Sequence, residues 1–271
     1  MANFDNICAA AISVLQTEDA RGKAEQARIV AAAWRSDTVP FQFDLTPPER
    51  PARPAKPELL DPSKMPNRGK AGNDINRRAL LHAIAHIELN AIDLAFDMIA
   101  RFGGMMPRRF TDDWISVGED EARHFTLLTG RLKSMQTLYG DMPAHDGLWQ
   151  SAMDTAHALP ARLAIVPMVL EAKGLDVTPR MITQFKQAGD PDSVRVLEVI
   201  YKEEVKHVAI GTRWFKYLAE KSEQNAEAWF HELVETFFKG KIKGPFNHEA
   251  RERAGLGISF YGPMALAAKD Q

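Results

Sequence analysis

Two stretches of this chain carry residues that could act on a metal together. They are Gly118-Glu119-Asp120-Glu121-Ala122-Arg123-His124 and Tyr201-Lys202-Glu203-Glu204-Val205-Lys206-His207. Each contains Glu-x-x-His. On a helix, residues three apart lie on one side, about 60° apart around the axis. A carboxylate and an imidazole so placed can grip one metal ion. Two such helices facing each other can grip two ions when two further helices each supply one glutamate. Glu88 and Glu171 are available for that role, in the required chain order. Glu88 shares a helix side with Ile84, Ala91 and Ala95, and Glu171 lies in the apolar run Val166-Pro167-Met168-Val169-Leu170-Glu171-Ala172. A carboxylate on the apolar side of a helix is costly to bury unless a cation, a hydrogen-bond partner or a proton accompanies it.

The spacing repeats. Glu88 to Glu121 is 121 − 88 = 33 residues, and Glu171 to Glu204 is 204 − 171 = 33 residues. Equal separations place both motifs at equivalent heights in two antiparallel helix pairs. The other acids near Glu88 are out of phase with it. Asp93 and Asp97 point about 140° and 180° away, toward the expected solvent side. His82 and His86 are four residues apart, a spacing that suits metal, but neither shares a side with Glu88, so a partly exposed or supporting role is expected. Tyr201 lies one turn before Glu204, as a packed aromatic, a hydrogen-bond donor to a ligand, or a redox tyrosine. Gly118 and Gly211 leave room for oxygen or substrate, or let helices approach.

The elements that must hold these residues are helical. Apolar positions at three- and four-residue steps predict two short helices over residues 4–36, broken near Thr17–Ala20. Cys8 is expected to pack there as a small hydrophobe. Eight prolines between Pro40 and Pro66 forbid a long helix, and Phe41, Phe43, Leu59, Leu60 and Met65 favour an anchored arm over a free linker. A helix is predicted from Asp74, as N-cap, to Gly103-Gly104, and a second from Thr111 to about Gln136. After a break at 139–146, a stretch at 147–159 reads as part of a crossover. Pro160 opens a third bundle helix, kinked at Pro167 and stopped at Gly174. A short helix over 178–187 follows, then a fourth bundle helix from Pro191 to about Lys221, a last helix over 226–238, and an irregular tail. The expected class is all-α: an N-terminal helical segment (1–38), a Pro-rich arm (39–72), a four-helix bundle (73–222), and a C-terminal helix and tail packed on it (223–271).

The pattern Glu88 … Glu121-x-x-His124 … Glu171 … Glu204-x-x-His207 resembles the ferritin-like di-iron carboxylate proteins, over residues 73–222. With its preceding Pro-rich segment it resembles the bacterial ferritin-like group DUF455, and more distantly the di-iron tRNA hydroxylase that oxidises a prenylated, methylthiolated adenosine. The resemblance implies a ferritin-like fold. It makes Glu88 and Glu171 terminal or switching carboxylates and Glu121 and Glu204 bridges, with His124 and His207 each capping one metal. Four carboxylates and two imidazoles suit two Fe ions, with Mn or a mixed Fe/Mn pair as alternatives, and do not suit a tetrahedral zinc site. The implied activity is an O₂-dependent oxidoreductase of hydroxylase or oxidase type. Its partners would be O₂, an unknown small-molecule or RNA substrate, and an external electron donor. The alternative is a metal-binding or storage protein without organic substrate; a site that serves structure alone is a third reading.

Bulk properties narrow the classes. The formal net charge of −2 gives no global drive toward nucleic acid or anionic membrane. A single cysteine excludes an intrachain disulfide. The N-terminus lacks a basic region followed by a long apolar run, and no uncharged apolar window approaches a membrane span, so a soluble cytoplasmic protein is expected. Lys239, Lys241, Lys243, Arg251 and Arg253, interleaved with Phe246 and His248, form a basic run in the tail. It could contact RNA phosphate, although Glu249 and Glu252 dilute it and a tail packed over the bundle is the safer expectation.

Overall fold

Side-chain caps set the first helices. Asn6 accepts a hydrogen bond from Ala9 N–H (2.8 Å) and starts α1, Ile7–Gln16. Asp19 does the same for Gly22 N–H and starts α2, Ala20–Arg35. The computed structural model describes residues 3–66, 69 and 71–265. Residues 1–2 of the N-terminal segment, 67, 68 and 70 of the arm, and 266–271 of the tail lie outside it. The remaining helices are α3 Asp74–Phe102, α4 Arg108–Ser134, α5 Gly147–Asp154, α6 Leu159–Ile165, α7 Ala172–Gln187, α8 Pro191–Lys221, α9 Ala226–Phe237, α10 His248–Arg253 and α11 Ile258–Tyr261. Among the described residues there is no strand, only an isolated bridge between Leu59 and Ala144. The fold is an all-α helical bundle.

The chain divides into two compact units. The first comprises residues 1–149 and 188–196, the second residues 150–187 and 197–271. In the first, α3 and α4 form a hairpin through a tight turn at Gly103–Met105. Phe43 of the arm lies against that turn, and a Cβ on Gly103 would come within 2.5 Å of its ring. Helix α1 packs on α3, and α2 on α4. The arm is tied on by backbone bonds, from Ala52 N–H to Leu15 O (2.8 Å) and from Leu60 N–H to Ala144 O (2.8 Å). Cys8 is fully buried, as a small hydrophobe would be, and burial raises its thiol pKa.

Because α1, α2 and the arm cover the far side of α3, the expectation for Asp93 and Asp97 fails: both are fully buried. Asp93 pairs with the buried Lys23 of α2 and, at 3.0 Å, with Arg53 of the arm. Asp97 pairs with Arg101 at 2.8 Å. The stretch Asp74–Met105 is long and apolar enough by composition to cross a membrane, yet it is mostly buried within the protein and carries these charge pairs.

Several boundaries differ from the sequence reading, each for a local reason. Asn73, not Asp74, caps α3, accepting from Asn76 N–H (2.8 Å). Helix α4 begins at Arg108, immediately after Pro107. Gly174 does not stop a helix. It is not among the glycines with positive φ, so it continues the right-handed turn; Gly189, at φ 70°, supplies the left-handed residue just past the end of α7. Of the kink expected at Pro167, the structure makes a π-helical segment, Val166–Glu171, between α6 and α7. The tail is not wholly irregular, because α10 and α11 form within it, with Asn247 capping α10.

Candidate metal centre

Within the first unit the hairpin brings one Glu and one Glu-x-x-His together. Glu88 lies mid-way along α3, Glu121 and His124 mid-way along α4, and all three are buried, at 3 %, 1 % and 0 % exposure. His124 Nδ1 is 3.1 Å from Glu88 Oε2 and 3.3 Å from Glu121 Oε2. The three residues each offer a ligand atom, and those atoms lie within 4.8 Å of one another. The close approach of the helices needs Gly118, since an added Cβ would meet Phe96 Cε2 at 2.7 Å and Ala95 Cβ at 3.3 Å.

The electrostatics of this trio suit a cation. Burial, and then the neighbouring Glu121 charge, hold the Glu88 carboxyl well above its usual range. Burial opposes a charge on His124, but hydrogen bonds to Glu121 and Glu88 and their charges outweigh it, raising its pKa to about 11. Protons thus do the neutralising in the metal-free protein. A divalent ion has the charge to replace them, and two carboxylate oxygens with an imidazole nitrogen are the hard and borderline donors that Fe or Mn accepts. The residues present fit such an ion.

The second unit holds the matching set. Glu171 ends the π-helical segment and is half-buried. Glu204 and His207 lie on α8, with His207 Nδ1 3.6 Å from Glu204 Oε1, the imidazole fully buried and the Glu204 side chain 13 % exposed. Pro167 has no N–H to complete an α-helical turn, and Ala172 N–H bonds to Pro167 O, five residues back. This wider turn sets the rotation at which Glu171 leaves the helix. Its neighbour on α8 is a glycine for a steric reason: a Cβ on Gly211 would come within 2.3 Å of Pro167 Cβ.

The chain matches, over residues 16–262, the family described as protein of unknown function DUF455. It belongs to that family. It is also 40 % identical over 211 residues to an uncharacterised protein of Haemophilus influenzae, covering 76 % of this chain and 73 % of the relative. No solved structure matches the chain. Family membership therefore adds no named activity, and chemistry has to be argued from the side chains.

Other residues of this DUF455 chain take roles that spacing did not reveal. His82 and His86 are buried, not partly exposed, at 1 % and 6 %. His86 meets Tyr139 Oη (2.9 Å) and His145 O (3.2 Å), and His82 Nε2 accepts from Gly140 N–H (2.9 Å). The pair holds the 139–145 loop against α3. Burial lowers the His86 pKa to about 3, which keeps the imidazole neutral. Tyr201 Oη accepts from Asn247 Nδ2 (2.8 Å), fastening α8 to the tail. In the tail's basic run, Arg251 is buried against Asp176 (2.7 Å) and Lys239 pairs with Asp154 (2.9 Å). These contacts link residues 46 to 85 apart in the sequence, so helical periodicity could not show them.

Proposed function

We propose that this chain is a ferritin-like dinuclear metal protein, with iron as the favoured metal, that uses O₂ to oxidise an organic substrate. The observation that carries it is the convergence of buried Glu88, Glu121 and His124 within the α3–α4 hairpin. Glu171, Glu204 and His207 supply the second half of the ligand set. The two ions, when bound, supply binding and reduction of O₂. The side chains neutralise the ions, since four carboxylates balance two divalent charges. Glu121 and Glu204, each one turn before its histidine on the same helix, would be held in common by the two ions. Glu88 and Glu171, which come from other segments, would be the terminal or switching carboxylates. The imidazoles of His124 and His207, both fully buried, fix the ends of the site and keep water from them.

Metal analysis tests this directly. Protein loaded with Fe(II) without oxygen should hold about two ions per chain, and anomalous scattering should place two peaks ~3.5–4 Å apart among the six side chains. Glu121→Gln and His124→Ala should each lower the count with the fold intact by circular dichroism. A wild-type protein that takes up no Fe or Mn would sink the proposal. Uptake far above two ions per chain would favour a store over an oxidase.

A further inference from the structure

A cavity in the second unit lies against the segment that carries Glu171. Its floor is Met168, Val169 and Leu170, the three residues before Glu171. Its enclosed space is ≈ 120 Å³, smaller than the about 300–1,000 Å³ of sites that enclose a whole drug-sized ligand, so a ligand seated here extends into the open mouth. Phe238, Phe246 and Tyr261 supply aromatic walls. The wall on the tail side is rigid: Arg251 binds Asp176 through Nε (2.8 Å) and Nη2 (2.7 Å), and its guanidinium stacks 4.4 Å from the Tyr261 ring centre and 5.1 Å from that of Phe246. That pair is internally neutral. The remaining charge is one-sided, because Lys173, Lys241 and Lys243 also line the cavity, and among the described residues none of them has a carboxylate at ion-pair distance.

We propose that this cavity binds an anionic small molecule with an apolar, ring-bearing body, the ring against the half-buried Phe238 and Phe246 and the anion on the three lysines. It rests on the reading above only in making this ligand the substrate; the binding itself needs no metal. An aromatic wall favours a flat apolar body. Three cations with no partner acid favour a carboxylate, sulfonate or phosphate over a neutral or cationic head. Position adds the link to chemistry, since a ligand here rests on the turn that orients Glu171.

The test uses the full-length protein, stripped of metal and then metal-loaded, with 1-anilinonaphthalene-8-sulfonate as probe. Fluorescence titration should show saturable binding of one dye per chain in both forms. Lys241→Glu/Lys243→Glu, at exposed positions, should weaken it by at least about tenfold, and Leu170→Trp, which fills the floor, should abolish it with an unchanged melting transition. The uncharged N-phenyl-1-naphthylamine should bind more weakly than the sulfonate and respond little to the charge reversal. Dye binding indifferent to charge reversal, or equal binding of the neutral analogue, overturns the proposal. So does displacement by inorganic phosphate alone at comparable concentration, which would make the apolar body irrelevant. If metal analysis fails while lysine-dependent dye binding persists, the metal reading falls and this one stands.

Discussion

At the scale of single residues, charge in this protein is placed where partners from distant segments meet it. Lys23 and Asp93 are both fully buried, and burial pushes each toward its neutral form. Their pairing is what allows them inside. Removing Lys23 leaves the buried Asp93 with Arg53 alone, so Lys23→Met should cost at most about 3 kcal/mol in urea unfolding. Lys23→Met/Asp93→Leu should cost less than the sum of the two single changes. The metal trio gives a second residue-scale expectation. In the metal-free protein His124 carries a proton at neutral pH, its pKa of about 11 set by burial outweighed by Glu121 and Glu88. A ligand nitrogen must lose that proton. Metal uptake should therefore release protons and weaken as pH falls, by roughly tenfold per pH unit for each proton released. Calorimetry in buffers of different ionisation enthalpy measures the proton count; uptake without release would contradict it.

At the scale of elements, the π-helical segment Val166–Glu171 is the feature on which one half of the proposed ligand set turns. A proline interrupts the α-helical ladder, and the wider turn adds a residue before Glu171. Pro167→Ala returns the missing N–H. If the segment then tightens to α-helix, Glu171 rotates by about 100°. The expected result is a protein at least as stable in a thermal melt but with fewer metal ions per chain. The glycine opposite gives the complementary test. Gly211→Ala places a methyl group 2.3 Å from Pro167 Cβ and should destabilise by about 1–3 kcal/mol; Gly211→Ala/Pro167→Ala, which keeps that Cβ, should recover little of it.

At the scale of the whole molecule, each compact unit carries one Glu and one Glu-x-x-His. Under the dinuclear proposal the two sets act as one centre through shared bridging carboxylates. Glu121→Gln and Glu204→Gln should then each remove more than one ion, and the double variant should be little worse than either single one. Independent loss of one ion per variant, measured by elemental analysis, would show two separate sites instead. The N-terminal helices and arm are part of the first unit rather than an appendage. Deleting residues 1–53 strips Lys23 and Arg53 from Asp93 and bares the apolar far face of α3. The truncated chain should aggregate or unfold, as sedimentation and circular dichroism would show.

The all-α class, the helix that carries each candidate ligand and the equal spacing of the two motifs were legible from the sequence alone. These depend on local periodicity, on capping residues and on helical phase, which neighbouring residues determine. Phase also put Glu88 on a buried side, correctly, and put Asp93 and Asp97 toward solvent, wrongly. A helix covered on one side has a solvent face; α3 is covered by α4 on one side and by α1 and the arm on others. Only the tertiary structure could decide that, because burial depends on segments that pack from 70 residues away, as Lys23 does on Asp93. The same holds for the loop clasped by His82 and His86, for Arg251 withdrawn from the basic tail, and for the glycine that Pro167 requires. Each is a contact between distant parts of the chain, and no local spacing encodes it.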